Sequence, residues 1–274
     1  MLFRSHARPD EFVCRESLAE GDRSEFDFVL VCTKSFDSAA AARDLAEHDD
    51  RLGSRACLVL FQNGWGNAET FCEHFDRDRI YNARVITGFR RPRPNEVEVT
   101  VHADAIRMGS LFAPDPSVVQ PLAQAIREGG IPCEVTDAVE RDLWAKMLYN
   151  CALNPLGAIL HVPYGALADE GSTRLLMSQI VGEVFAVMSA ACYRTHWQRP
   201  EDFLQVFYEK LVPDTAEHRS SMLQDVSAGK RTEIEALTGA VLKLAKRYDI
   251  EVPYNRAIYN LIRFIENSAW PARE

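Results

Sequence analysis

Over residues 25–135 short apolar runs alternate with helical stretches and turns. Residues 26–32 (FDFVLVC) and 56–61 (ACLVLF) are near-continuous apolar runs of strand length, the pattern of strands covered on both faces. Between them residues 38–48, rich in Ala and Leu, predict a helix. Strand, helix and strand in that order predict a parallel sheet with a right-handed crossover. Residues 96–108 (EVEVTVHADAIRM) alternate apolar and polar, which predicts an antiparallel pair near the domain's edge. Residues 115–128 predict a helix ended by Gly129-Gly130.

From Val139 onward the period changes to that of helices. Leu176, Ile180, Val184, Val187 and Ala191 fall three or four apart, as do Ile234, Leu237, Val241 and Leu244, then Ile258, Leu261 and Ile265. The pattern therefore predicts an α/β domain over residues 1–136 followed by an all-α helical bundle over 137–274. The change falls near residues 133–140, and junctions of this kind are common places for a ligand cleft.

Composition narrows the function classes. With 274 residues, 47% of them hydrophobic, the chain can bury the cores of two domains. Its net charge is −9 and it has no basic block able to follow a phosphate backbone, which argues against nucleic acid as a partner. No apolar stretch is long enough to span a membrane, and Met1-Leu2-Phe3-Arg4-Ser5-His6 lacks a secretory signal's pattern, so a cytoplasmic location is expected. The seven cysteines show no C-x-x-C spacing and read as small buried apolar residues. The seven histidines form no metal-binding pair, and no G-x-S-x-G turn supports a hydrolase.

Three clusters carry candidate chemistry. Lys146, Asn150 and Asn154 are spaced four and four, so on a helix they form one polar stripe, bordered by Leu143, Met147, Leu148 and Leu153. An amine with two amides on one face suits a small oxygen-rich substrate; the alternative is a solvated face. Asn is unfavourable inside helices and Asn154 precedes Pro155, a local cost that favours the functional reading. In the second cluster, Thr232 with Glu235 fits a capping box that places Glu233 in a helix's first turn, and Ser221 is open to a helix-cap reading. On spacing alone the structural reading leads for both. In the third, Thr33-Lys34-Ser35 and Gln62-Asn63-Gly64 each follow a buried strand, at the carboxyl ends where open parallel sheets place ligands. Asn63-Gly64 is equally an ordinary turn pair.

Taken in order, these segments resemble the ketopantoate reductase (2-dehydropantoate 2-reductase) family over about residues 25–265. The resemblance is carried by Thr33-Lys34-Ser35, Gln62-Asn63-Gly64, Trp144-x-Lys146-x-x-x-Asn150-x-x-x-Asn154-Pro155, Ser221-Met222-x-x-Asp225 and Thr232-Glu233-Ile234. It implies that residues 1–136 form a partial Rossmann-like dinucleotide-binding domain, and it implies NADPH-dependent reduction of a 2-keto acid, with NAD not excluded, and a possible homodimer through the helical domain. Lys146 then resembles the general acid that protonates the ketone oxygen. An ammonium both polarises a carbonyl and gives up a proton, and burial brings its pKa toward the working range. Asn150, Asn154 and Ser221 would hold the substrate's carboxylate and hydroxyl, and Asn63 would bridge substrate and cofactor. Glu233 resembles the carboxylate beside the cofactor ribose and the lysine, and Lys34 a contact to the dinucleotide. Two departures bear on the substrate: Thr238-Gly239 stands where the family often has Asn-Gly, and Tyr164 stands near a position where some members place another substrate-binding Asn.

The larger departure is that no G-x-G-x-x-G occurs in this chain. The resemblance implies two βαβ units, on the order of 60 residues, ahead of residue 25. Without them residues 26–32 are expected to present an unpaired apolar edge, and NADPH binding by this chain is expected to be weak or absent. A misplaced start, a covering chain, or a non-catalytic remnant that still dimerises would each account for this. A related dehydrogenase of another 2-hydroxy acid is the alternative within the enzyme class.

Overall fold

The computed structural model describes residues 13–20, 26–53, 55–102, 104–112 and 115–268; the Met1–His6 stretch and Glu25 lie outside them. Close packing divides the chain into two units. One comprises Met1–Gln62 and Asn67–Val139; the other comprises Asn63–Gly66 and Glu140–Glu274.

The first unit is built on β1 (Phe28–Val31), β2 (Cys57–Leu60), β3 (Ile80–Arg84), β6 (Ile106–Gly109) and β7 (Cys133–Val135), in the spatial order β1-β2-β3-β6-β7. β1, β2 and β3 are parallel, β6 runs antiparallel to β3, and β7 is parallel to β6. Every residue of β2 is buried, because successive side chains serve opposite faces. Leu58 and Leu60 pack with Ala42, Leu45, Phe71 and Phe75 from α1 (Ser38–Glu47), α3 (Asn67–Phe71) and the turn after it, whereas Cys57 and Val59 pack with Tyr81, Met108 and Ala123. A single turn, α2 (Asp49–Leu52), separates α1 from β2. The parallel strands and their crossover helix are those the apolar runs predict.

The alternating stretch divides in a way its pattern does not reveal. β4 (Thr87–Arg93) and β5 (Glu96–His102) form a separate two-stranded antiparallel sheet, while β6 joins the main sheet. Residues 115–128 begin as a 3₁₀ turn (Pro116–Val119), and α4 (Gln120–Glu128) follows. Among the described residues β1 is an edge strand, with Leu30 46% exposed.

The second unit is helical: α5 (Val139–Leu160), α6 (Tyr164–Asp169), α7 (Gly171–Ala190), α8 (Pro200–Val206), α9 (Ser221–Ser227), α10 (Thr238–Arg247) and α11 (Pro253–Asn267). α7 packs against α6, α8, α10 and α11, and its Ile180, Val184 and Val187 are buried. Two details correct the periodicity. Ile234 and Leu237 are buried but lie in a turn ahead of α10, and on α11 the buried stripe is Asn255, Ile258 and Ile262, with Leu261 exposed. The cysteine reading is corrected as well: Cys57, Cys133 and Cys151 are buried and Cys72 half-buried, but Cys14, Cys32 and Cys192 are exposed. No helix among the described residues is long and apolar enough to cross a membrane.

Candidate active site

Helix α5 passes through the centre of the helical unit. Trp144, Leu148, Cys151, Ala152 and Leu153 on it are fully buried, and it continues through Pro155. Its polar stripe is the one the four-residue spacing predicts, with Lys146 half-buried and Asn150 and Asn154 buried.

The segment Asn63–Gly66 lies between β2 and α3 in sequence yet packs with the helical unit. Its backbone is pinned there. Gly64 has φ +90°, and a Cβ on it would lie 2.4 Å from the Ala236 carbonyl oxygen. Glycine is therefore required on both counts. The Trp65 N–H donates to the same carbonyl at 2.8 Å. The Trp65 ring meets Trp144 and Tyr193, each at a centroid distance of 4.7 Å. Held in this way, the Asn63 carboxamide connects two charged groups. Lys146 Nζ donates to Asn63 Oδ1 at 2.5 Å, and Asn63 Nδ2 donates to Glu233 Oε2 at 3.3 Å.

Glu233 is buried, but not through the predicted capping box. Thr232 Oγ1 does accept from the Ile234 N–H at 3.2 Å, yet Glu235 does not return to Thr232. Its carboxylate takes the Tyr259 hydroxyl at 2.5 Å and lies 3.8 Å from Arg263. Glu266 supplies the second half instead, accepting from the Thr232 N–H and Oγ1, both at 2.7 Å. Helix α10 starts only at Thr238, so Glu233 sits in the turn before it rather than in its first turn.

The cap reading of Ser221 is likewise corrected. Ser220 caps α9, accepting from the Leu223 N–H at 3.0 Å while its hydroxyl donates to the Asn154 carbonyl at 3.3 Å. Ser221 is exposed and lines a small recess with Asn63, Asn150, Asn154, Asp225 and Glu233, enclosing about 220 Å³ with its open mouth included. Six singled-out residues, Lys146, Asn63, Asn150, Asn154, Ser221 and Glu233, thus come together within the helical unit. Asp225, part of the Ser221-Met222-x-x-Asp225 motif but given no role above, joins them; its place four residues after Ser221, on the same helix face, is the signal for one.

Lys34 belongs to the α/β unit, half-buried at the carboxyl end of β1. Beside it Gln62 Nε2 donates to Thr33 O (3.2 Å), Thr33 Oγ1 (3.1 Å) and Ser38 Oγ (2.9 Å), and Ser38 donates to Asn67 Oδ1 (2.9 Å). Gln62 Oε1 is buried with no hydrogen-bond partner. An orphaned acceptor and a cation at the carboxyl ends of parallel strands fit the hydroxyl and phosphate groups of a dinucleotide. Among the described residues no group of three or more His, Cys, Asp or Glu is disposed to hold a metal.

An α/β unit followed by a helical unit is a fold that solved structures share. The structure of D-mandelate dehydrogenase with NADH and anilino(oxo)acetate matches 91% of the chain and 79% of that enzyme with a TM-score of 0.80, at 19% identity. The sequence carries the assignment further. The chain belongs to the ketopantoate reductase family of dinucleotide-dependent oxidoreductases: the profile "Ketopantoate reductase PanE/ApbA" matches residues 3–111 and "Ketopantoate reductase PanE/ApbA C terminal" matches residues 138–266. It is 37% identical over 238 residues to the 2-dehydropantoate 2-reductase of Aquifex aeolicus, spanning 86% of this chain and 76% of that one. The crystal structure of 2-dehydropantoate 2-reductase from Geobacter metallireducens is similar at a TM-score of 0.79 and 25% identity, covering 91% of this chain and 80% of that one.

Proposed function

We propose that the chain reduces a 2-keto acid with NADPH, ketopantoate (2-dehydropantoate) to pantoate being the reaction assigned to it. The single observation behind the residue roles is the linked set Lys146–Asn63–Glu233 at the recess lined by Asn150, Asn154 and Ser221. When bound, the reduced nicotinamide supplies a hydride to the keto carbon. Lys146 donates a hydrogen bond to the keto oxygen, which withdraws electron density from the carbon, and then gives that oxygen its proton. Asn63 aims the ammonium and is itself held by the buried Glu233 carboxylate, which accepts from its Nδ2. Asn150, Asn154 and Ser221 hold the substrate carboxylate and hydroxyl through N–H and O–H donors. Lys34 and Gln62 contact the dinucleotide. Such an enzyme draws on the cytoplasmic nucleotide pool, and the cytoplasm is its proposed location.

The reading is tested by following NADPH oxidation with ketopantoate in excess. NADPH is raised until the rate no longer depends on it. Ketopantoate-dependent oxidation is expected, and Lys146→Ala should lower kcat by about 10²–10⁴. No turnover at saturation, or an unchanged Lys146→Ala enzyme, would contradict it. Faster turnover of an aromatic 2-keto acid would transfer the assignment to a related 2-hydroxy-acid dehydrogenase.

A further inference from the structure

We propose that Tyr164 is a positioning residue of the recess: its hydroxyl fixes the Asn154 carboxamide so that the amide nitrogen, a donor, faces an anionic substrate group. This rests on the functional reading above and adds a residue to it.

Tyr164 is the first residue of α6, and its hydroxyl donates to Asn154 Oδ1 at 2.6 Å. The ring is held on several sides. Tyr149 meets it edge-on at 5.7 Å and 84°, and His218 lies against it at 5.1 Å. Tyr149 is itself tied to Thr215 at 2.6 Å, and the Tyr164 N–H donates to the His218 carbonyl at 3.1 Å. The hydroxyl therefore has one direction in which to point.

Burial raises the Tyr164 phenol well above its ordinary pKa, so it stays neutral and carries one O–H to place. A buried O–H without an acceptor is unfavourable, and the acceptor in reach is the Asn154 carboxamide oxygen. The reversed amide would leave the phenol proton facing N–H groups. Ser220 holds the backbone of the same residue through the Asn154 carbonyl. With backbone and oxygen both fixed, Asn154 presents Nδ2 to the recess it lines. A carboxylate can accept there, whereas an amide free to rotate would offer oxygen as readily as nitrogen. The discrimination thus comes from a tyrosine absent from the recess lining itself.

The test is a double-mutant cycle read by calorimetric titration with pantoate and by the kinetics of ketopantoate reduction. Tyr164→Phe keeps the ring and its packing but removes the O–H. Pantoate binding and the ketopantoate KM should each weaken roughly tenfold, with kcat little changed because binding rather than proton transfer is affected. In an Asn154→Ala background the same substitution should add nothing. A loss of melting temperature without that pattern would not reproduce the cycle, so a purely structural role is separable. Equal losses in both backgrounds, or full affinity in Tyr164→Phe, would overturn the proposal alone. A parent chain that neither binds pantoate nor reduces ketopantoate would overturn the functional reading, and this one with it.

Discussion

At the scale of single residues, what could be read from the sequence is what local spacing fixes. Lys146, Asn150 and Asn154 share a face because α5 runs unbroken past them, and a spacing of four is sufficient to say so. Ser220 and Ser221 could not be told apart by spacing. Adjacent serines offer the same cap, and only the buried contact to the Asn154 carbonyl decides which one turns inward. Gly64 is the opposite case, an ordinary turn glycine in sequence whose necessity comes from Ala236, far along the chain. Gly64→Ala is expected to displace Asn63 from Lys146, because an added Cβ overlaps a carbonyl oxygen and the backbone is in the left-handed region. Destabilisation on the order of 1–3 kcal/mol by denaturant titration, with a fall in kcat larger than the change in KM, is the expected result. Unaltered stability and turnover would show that the loop tolerates a side chain.

At the scale of elements, the α/β strands were legible because buried parallel strands leave continuous apolar runs, and α7 because its stripe is long. The segment around Glu233 was not. Thr232 and Glu235 have the spacing of a capping box, but the partner of Thr232 is Glu266, 34 residues away on α11. A local pattern cannot register a competing carboxylate on another helix. The same helix shows how a stripe slips by one position: Leu261 has the right spacing from Ile258, yet Ile262 is the buried residue. Because Glu266 accepts two hydrogen bonds from the buried Thr232, Glu266→Ala should destabilise the chain by about 1–3 kcal/mol. It should also reduce turnover, by loosening the turn that carries Glu233, although Glu266 does not line the recess. Chemical denaturation beside the kinetic assay checks both, and an unaffected variant would remove α11 from the account of the site.

At the scale of the molecule, the fold class followed from the change of period near residue 139, while the assembly of the site depended on a loop that leaves its sequence neighbours. The helical unit also carries exposed apolar residues on α11, with Leu261 48% and Phe264 59% exposed. Faces of that kind are commonly covered by a partner, and a homodimer through this unit is the proposed arrangement. Sedimentation should give twice the mass of the chain, and Phe264→Glu should shift it to the monomer; a monomeric parent would exclude the dimer. The central claim, that one lysine, three amides, a hydroxyl and a carboxylate make a binding site for a 2-hydroxy or 2-keto acid, is met most directly by a crystal structure with pantoate. The account predicts the C2 hydroxyl within about 3 Å of Lys146 Nζ, with the carboxylate accepting from Asn150, Asn154 and Ser221. Pantoate bound elsewhere, or Lys146 turned away from its hydroxyl, would contradict it.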